Sequence, residues 1–244
     1  MKKKIQQVAH KFTNNLEGDE HEMTISGAIG QGGWFYDATS AKDVRNALDG
    51  VTASTIRIKL NSGGGDAFDG IEIYNYLKDH KAHVIVEVTS LAASAASIIA
   101  MGADEIIMRT GSNLMIHEAA TFAYGTKGDI QKTMNALETI DDSIVSIYKQ
   151  RTGLSSEEIK KMIEAETWLT AEEALEKGFV DSIETVEDPK EQEKNIFSQN
   201  AKVNINFTNE QIDSIVEKVT ANLQNNINKT NEPAPVAKKR GFIF

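Results

Sequence analysis

Apolar and polar residues alternate over residues 22–29 (EMTISGAI) and 55–60 (TIRIKL), and residues 83–89 (HVIVEVT) are rich in β-branched side chains. Each stretch predicts a strand. Residues 104–108 and 113–116 predict two shorter ones. Elsewhere the period lengthens to that of helices. Ser40 caps a segment with Val44 and Leu48 on one face, and Phe68, Ile71, Ile73, Tyr74 and Leu77 mark a second, after a break at residues 61–65 (NSGGG). Residues 91–101, dense in Ala, Ser and Ile, predict a buried helix. Residues 129–150 carry Met134, Leu137, Ile140, Ile144 and Ile147 at helical intervals. Ser155 with Glu158, and Thr170 with Glu173, form the capping box that opens a helix, and Gly178 ends the last of these. Strands alternating with helices predict an α/β domain on a largely parallel sheet.

The pattern changes at both ends. Residues 1–20 are polar and are expected to form a flexible N-terminal segment, with the α/β domain over residues 21–185. From residue 186 the chain reads as a polar linker, then an amphipathic helix at about 208–225 capped by Thr208 and striped by Ile212, Ile215, Val216, Val219 and Leu223. A disordered tail follows, ending in the apolar Gly241-Phe242-Ile243-Phe244.

Composition narrows the function. The net charge is -10, and residues 186–244 are balanced with eight acidic and eight basic side chains, so the acidic excess lies in the front part. That argues against a general nucleic-acid binder. There are no cysteines, which excludes disulfides, thiolate metal sites and a cysteine nucleophile. No apolar run has the length of a membrane span, and no apolar core follows the basic start, so no secretion signal is expected. No metal-ligand spacing and no cofactor motif is found. A cytoplasmic protein is expected.

Three features can carry chemistry. The glycine run 63–65 exposes backbone N–H groups able to bind a developing oxyanion. Ser94 stands at a helix start, in a field that favours negative charge. His117, after a strand, can take and return a proton near neutral pH. Taken singly, each has an ordinary reading: a strand-to-helix turn, a small residue for close packing, a satisfied core histidine. The run lacks the lysine of a phosphate loop. His10, His21, His80 and His83 read as surface residues.

Together the motifs resemble the ClpP peptidase family. Residues 90–97 (SLAASAAS) followed by 100–103 (AMGA) are similar to its nucleophile segment. Residues 113–117 (NLMIH) resemble its strand ending in the catalytic histidine. Residues 60–65 (LNSGGG) resemble its oxyanion loop, with Gly63 where proline is usual. Arg151-Thr152-Gly153 closes the long helix as a short motif closes the family's handle helix. Residues 168–174 and 178–181 (GFVD) resemble its terminal segment. The likeness runs in order from about Met23 to Ile183. It implies a ClpP/crotonase-like spiral of β-β-α units with a protruding handle helix, here followed by a helical and disordered C-terminal extension. It also implies a serine endopeptidase, with Ser94 as nucleophile, His117 as general base, and the N–H groups of Gly65 and Ala95 as oxyanion hole. No cofactor or metal is implied. Where the family has an aspartate, this chain has Glu166, two residues before Trp168. Glutamate serves some hydrolase triads; Asp141, Asp142 and Glu118 are the substitutes.

The extension, and residues 166–171 (ETWLTA), are most like the head-maturation proteases of tailed phages and prophages. By that analogy the substrate is a capsid or scaffold protein, the site of action is host cytoplasm or prohead, and the protein is a homo-oligomer, in rings of seven as in the family. No nucleic acid or membrane partner is expected. Three other readings stay open: a housekeeping-type ClpP proteolytic subunit working with an unfoldase, a crotonase-type acyl-CoA hydratase or isomerase, and a non-catalytic scaffold or assembly protein.

Overall fold

A computed structural model describes residues 8–17, 19–33 and 36–184. The amphipathic helix and tail expected after residue 186 lie outside the described residues. The central strands are β2 (Glu20–Ile29), β4 (Thr55–Gly65), β5 (His83–Ala93), β6 (Glu105–Arg109) and β9 (Ser182–Glu184). They pair in that order and all in parallel. A parallel pair needs a crossover. Helices α1 (Ala41–Leu48), α2 (Ala67–Lys78) and α3 (Ala95–Ala100) lie in the first three such connections, with the short β3 (Ala38–Thr39) beside β2.

One face of this sheet is apolar. His21, Met23 and Ile25 on β2, Ile56, Ile58 and Leu60 on β4, and Val84, Val86 and Val88 on β5 are buried there, against Leu48, Ile73, Leu77 and Ile99 from the helices. The alternate residues carry charge: Arg57 pairs with Glu20 at 2.8 Å and Lys59 with Glu22 at 2.7 Å, while Arg109 pairs with Glu87. His21, expected at the surface, is 7 % exposed and hydrogen-bonds Asn14, because the alternation of β2 turns it to the core side.

Other differences from the sequence reading have local causes. Residues 11–17, expected within a flexible segment, form β1 (Lys11–Glu17), antiparallel to β2 from Lys11 opposite Ser26 to Glu17 opposite Glu20. Its partner supplies the ladder bonds that composition cannot announce. The glycine run does not end β4; the strand continues through Gly65 after a register shift beyond Leu60. Residues 91–93 are strand and not helix, because β5 runs on past β6 to pair with β7 (Asn113–Ile116), with Leu91 opposite Asn113 and Ala93 opposite Met115. The helix starts only at Ala95.

The sheet thus forks along β5. Its first half pairs with β6 and its second with β7, which in turn pairs antiparallel with β8 (Thr167–Thr170). Between β7 and β8 run α4 (Lys127–Thr152) and α5 (Ser156–Glu164), and α6 (Ala171–Glu176) follows β8. Only the root of α4 is buried, at Ile144, Val145, Ile147 and Tyr148. Gly153 closes it in the left-handed conformation at φ 74°, where a side chain would be strained.

Candidate active site

The fork decides which side chains meet. Because Ala93 lies opposite Met115 and the Ser94 N–H donates to the Met115 carbonyl at 2.9 Å, the end of β5 is locked beside the end of β7. Ser94 follows one strand and His117 ends just past the other. Ser94 has φ 55° and ψ -126°, a backbone that costs a non-glycine residue about 1–3 kcal/mol. The sharp turn lifts its side chain off the sheet edge, and His117 Nε2 lies 2.7 Å from Ser94 Oγ. Both residues are half-buried, reachable from outside. This is the separation required for a base to take the hydroxyl proton.

The glycine run comes up against the same point. Ser62, fully buried, donates its hydroxyl to the Gly27 carbonyl at 2.6 Å and accepts the Gly64 N–H at 3.0 Å, which fixes the end of β4. A Cβ on Gly64 would stand 2.6 Å from Ser94 Cβ and from the Ala93 carbonyl oxygen. Only glycine lets β4 approach the serine this closely. Ala95 is the first residue of α3, so its N–H has no acceptor within the helix. Gly65, Ala95, Ser94 and His117 line one cavity of about 270 Å³, walled by Phe68, Ile98, Leu137, Ile140, Ile144 and Tyr148. A larger hollow of about 710 Å³ lies on the other side of Gly63 and Gly64, but neither Ser94 nor His117 lines it. The smaller cavity is therefore the candidate reaction site.

Glu166 makes no hydrogen bond to His117. The last β7–β8 pair is Ile116 with Thr167, so Glu166 comes one step past the ladder, exposed and at φ 51°. Its carboxylate accepts from the Trp168 indole at 3.4 Å. Of the substitutes, Asp141 accepts the Ala119 N–H at 2.7 Å, Asp142 pairs with Lys160 at 2.8 Å, and Glu118 is exposed. Among the described residues no carboxylate hydrogen-bonds the imidazole. The described residues also contain no cluster of His, Cys, Asp or Glu able to hold a metal, and no helix long and apolar enough to cross a membrane.

Sequence reasoning gave no role to Ser62, Ser97 or Tyr148. The run NSGGG held a signal for Ser62, since a serine before glycines bonds its own turn; nothing in the sequence marked Tyr148.

A serine and an imidazole in hydrogen-bond contact, beside unpaired N–H groups at a strained strand-to-helix turn, define a serine-type hydrolase on an α/β fold. Comparison with known proteins agrees. The Clp protease family model matches residues 41–187. The chain is 32% identical over 177 residues to the ATP-dependent Clp protease proteolytic subunit 1 of Protochlamydia amoebophila, covering 68% of this chain and 81% of that one. It is 27% identical over 130 residues to the proteolytic subunit of Deinococcus radiodurans, covering 52% of this chain and 64% of that one. Among solved structures, a ClpP1 mutant from Listeria monocytogenes superposes with a TM-score of 0.55 at 27% identity, over 61% of this chain and 85% of that one. The chain belongs to the Clp protease family, and is a serine-type peptidase.

Proposed function

We propose that the chain is an endopeptidase in which Ser94 is the nucleophile and His117 its general base. The observation that carries this is the 2.7 Å contact between Oγ and Nε2. In the reaction, Oγ attacks the scissile carbonyl carbon while Nε2 takes its proton. The carbonyl oxygen becomes an oxyanion, received by the N–H groups of Gly65 and Ala95. Collapse of this intermediate breaks the C–N bond, and His117 hands its proton to the departing amine. Water, deprotonated by the same imidazole, then releases the acyl group from Ser94. One oxyanion donor contributes on the order of a hundred- to a thousand-fold in rate. Glu166, the residue next beyond the Ile116–Thr167 pair, is proposed as the third member, and its carboxylate must leave the Trp168 indole to reach the outer nitrogen of His117. Labelling by a fluorophosphonate probe tests the nucleophile. Wild type should label and Ser94→Ala should not, with the circular dichroism unchanged; full activity in Ser94→Ala would end the proposal and with it the peptidase reading of this cavity.

We infer further that the substrate is a capsid or scaffold protein, and that the enzyme acts as a head-maturation protease of a tailed phage or prophage, as rings of seven, in the host cytoplasm or prohead. Two features support this. Residues 188–244 lie beyond the family match, and the segment 166–171 (ETWLTA) resembles that of such proteases. The relatives compared are named as ATP-dependent proteolytic subunits, which favours a second reading, degradation with an unfoldase partner. Co-expression with the neighbouring capsid gene product and intact-mass analysis separates the two. Discrete cleavage that depends on Ser94 supports maturation; processive degradation only with an added unfoldase supports the alternative. An acyl-CoA binding assay addresses the crotonase-type reading.

A further inference from the structure

Ser97 and Tyr148 take no part in the proton path, yet their hydroxyls form a buried chain ending on the nucleophile's own peptide group. Ser97 is 0% exposed and Tyr148 1%. Ser97 Oγ donates to the Ser94 carbonyl at 2.6 Å and lies 2.8 Å from the Tyr148 phenol oxygen. A serine hydroxyl carries a single proton. With that proton on the Ser94 carbonyl, the phenol is the donor in the second bond. Burial pushes the Tyr148 phenol up from its ordinary value, so it remains a donor at neutral pH. The ring is held from α4 and meets Phe179 edge-on with centroids 5.7 Å apart.

The Ser94 carbonyl and the Ala95 N–H belong to one planar peptide group and point in opposite directions. The carbonyl also accepts the Ser97 N–H at 2.9 Å and the Ile98 N–H at 3.3 Å; the hydroxyl is the closest of the three. Bonds to the oxygen at one end of a peptide fix and polarise the N–H at the other. We propose that Tyr148 and Ser97 are positioning residues for the oxyanion hole, their hydroxyl relay setting the direction and donor strength of the Ala95 N–H through the shared peptide. This rests on Ser94 as nucleophile and Ala95 as oxyanion donor. It also ties the rate of the chemical step to the root of α4.

The test uses the full chain, a fluorogenic peptide with a large apolar residue before the scissile bond, and the matching peptide boronate, whose tetrahedral adduct places an oxygen in the oxyanion hole. Ser97→Ala should lower kcat about tenfold with KM within twofold, a fraction of the loss expected for deleting a donor outright. The boronate inhibition constant should rise by the same factor. The pH midpoint of kcat/KM should not move, because His117 is untouched. Tyr148→Phe, which removes one oxygen and keeps the ring, should act in the same direction by about threefold. If Ser97→Ala does not fold, Tyr148→Phe decides alone. Activity that disappears in Ser94→Ala, while the folded Ser97 and Tyr148 variants keep kcat and boronate affinity within twofold, overturns the relay and leaves the nucleophile standing. Activity that survives Ser94→Ala overturns both.

Discussion

At the residue scale, the site depends on places where a side chain is absent as much as on those where one is present. Gly64 and Gly65 have φ of 90° and 156°. A Cβ on Gly64 would press on Ser94, and one on Gly65 would run into the Ile29 carbonyl across β2. Gly64→Ala and Gly65→Ala are expected to cost about 1–3 kcal/mol in backbone strain alone, and more where β2 cannot yield. Urea unfolding would show this, with Gly65→Ala the more damaged because its obstacle, the Ile29 carbonyl, stands closer than any at Gly64. The carboxylate is a separate question. Glu166→Gln should lower kcat at least tenfold, as expected when the imidazole loses the group that stabilises its cation; unchanged turnover would leave Ser94 and His117 working as a dyad. Ser94, His117, Gly65 and Ala95, which line one cavity, were each singled out by the sequence as candidates, since each sits in a short motif. The engagement of Glu166 by Trp168 was not legible, because it follows from a left-handed turn just outside a strand ladder, and spacing does not record φ.

At the scale of elements, local chemistry accounts for most boundaries. Four helices open on a capping box, at Ser40, Thr126, Ser155 and Thr170. In each, a hydroxyl accepts the third N–H and an acidic side chain returns to the cap. At α1 the Ser40 hydroxyl and N–H hold the Asp43 carboxyl below its ordinary value. A depressed carboxyl contributes stability that is complete above the unfolded pKa, near 4, and is lost as pH falls through the folded one. Asp43→Asn should therefore flatten the acid limb of a Tm-against-pH curve below about pH 4, leaving the neutral region nearly parallel to wild type. A dependence identical in the two proteins would show that the box is not formed in solution. The elements misread from sequence share one cause. β1, and the extension of β5 through Ala93, exist because a partner strand lies alongside; Ala-rich and polar segments carry little preference of their own, so tertiary pairing decides.

At the scale of the whole molecule, two features remain uncovered by the described residues. One is the charged face of the sheet. Glu87 is 2% exposed and its charge is met by Arg109, which also lies 3.5 Å from Glu184. Removing the cation alone leaves a buried carboxylate, so Arg109→Met should cost about 2 kcal/mol, discounted because Arg109 is partly in solvent. The double variant with Glu87→Met should recover much of that loss in the same unfolding assay. The other is the outer part of α4 and the loop leading to it, where Phe122 and Tyr124 are each 96% exposed and Ile130 and Met134 about half so. Ring assembly, proposed above, would cover such a surface. Ile130→Glu with Met134→Glu should then shift sedimentation velocity toward smaller species, while an already monomeric wild type would refute the assembly.

Sequence alone determined the α/β class, the order of the main strands and helices, the caps at Ser40, Ser155 and Thr170, and the segments that carry the candidate nucleophile, base and oxyanion donors, because each is written in periodicity or in a run of adjacent residues. Tertiary structure alone decided that Ser94 and His117, 23 positions apart, meet at 2.7 Å, that Glu166 bonds Trp168, and that a tyrosine from α4 reaches the serine's peptide through Ser97. These are distances between segments remote in the chain. They are set by the fork of β5 and by close packing around it, which depend on every neighbour at once and so leave no mark at any single position.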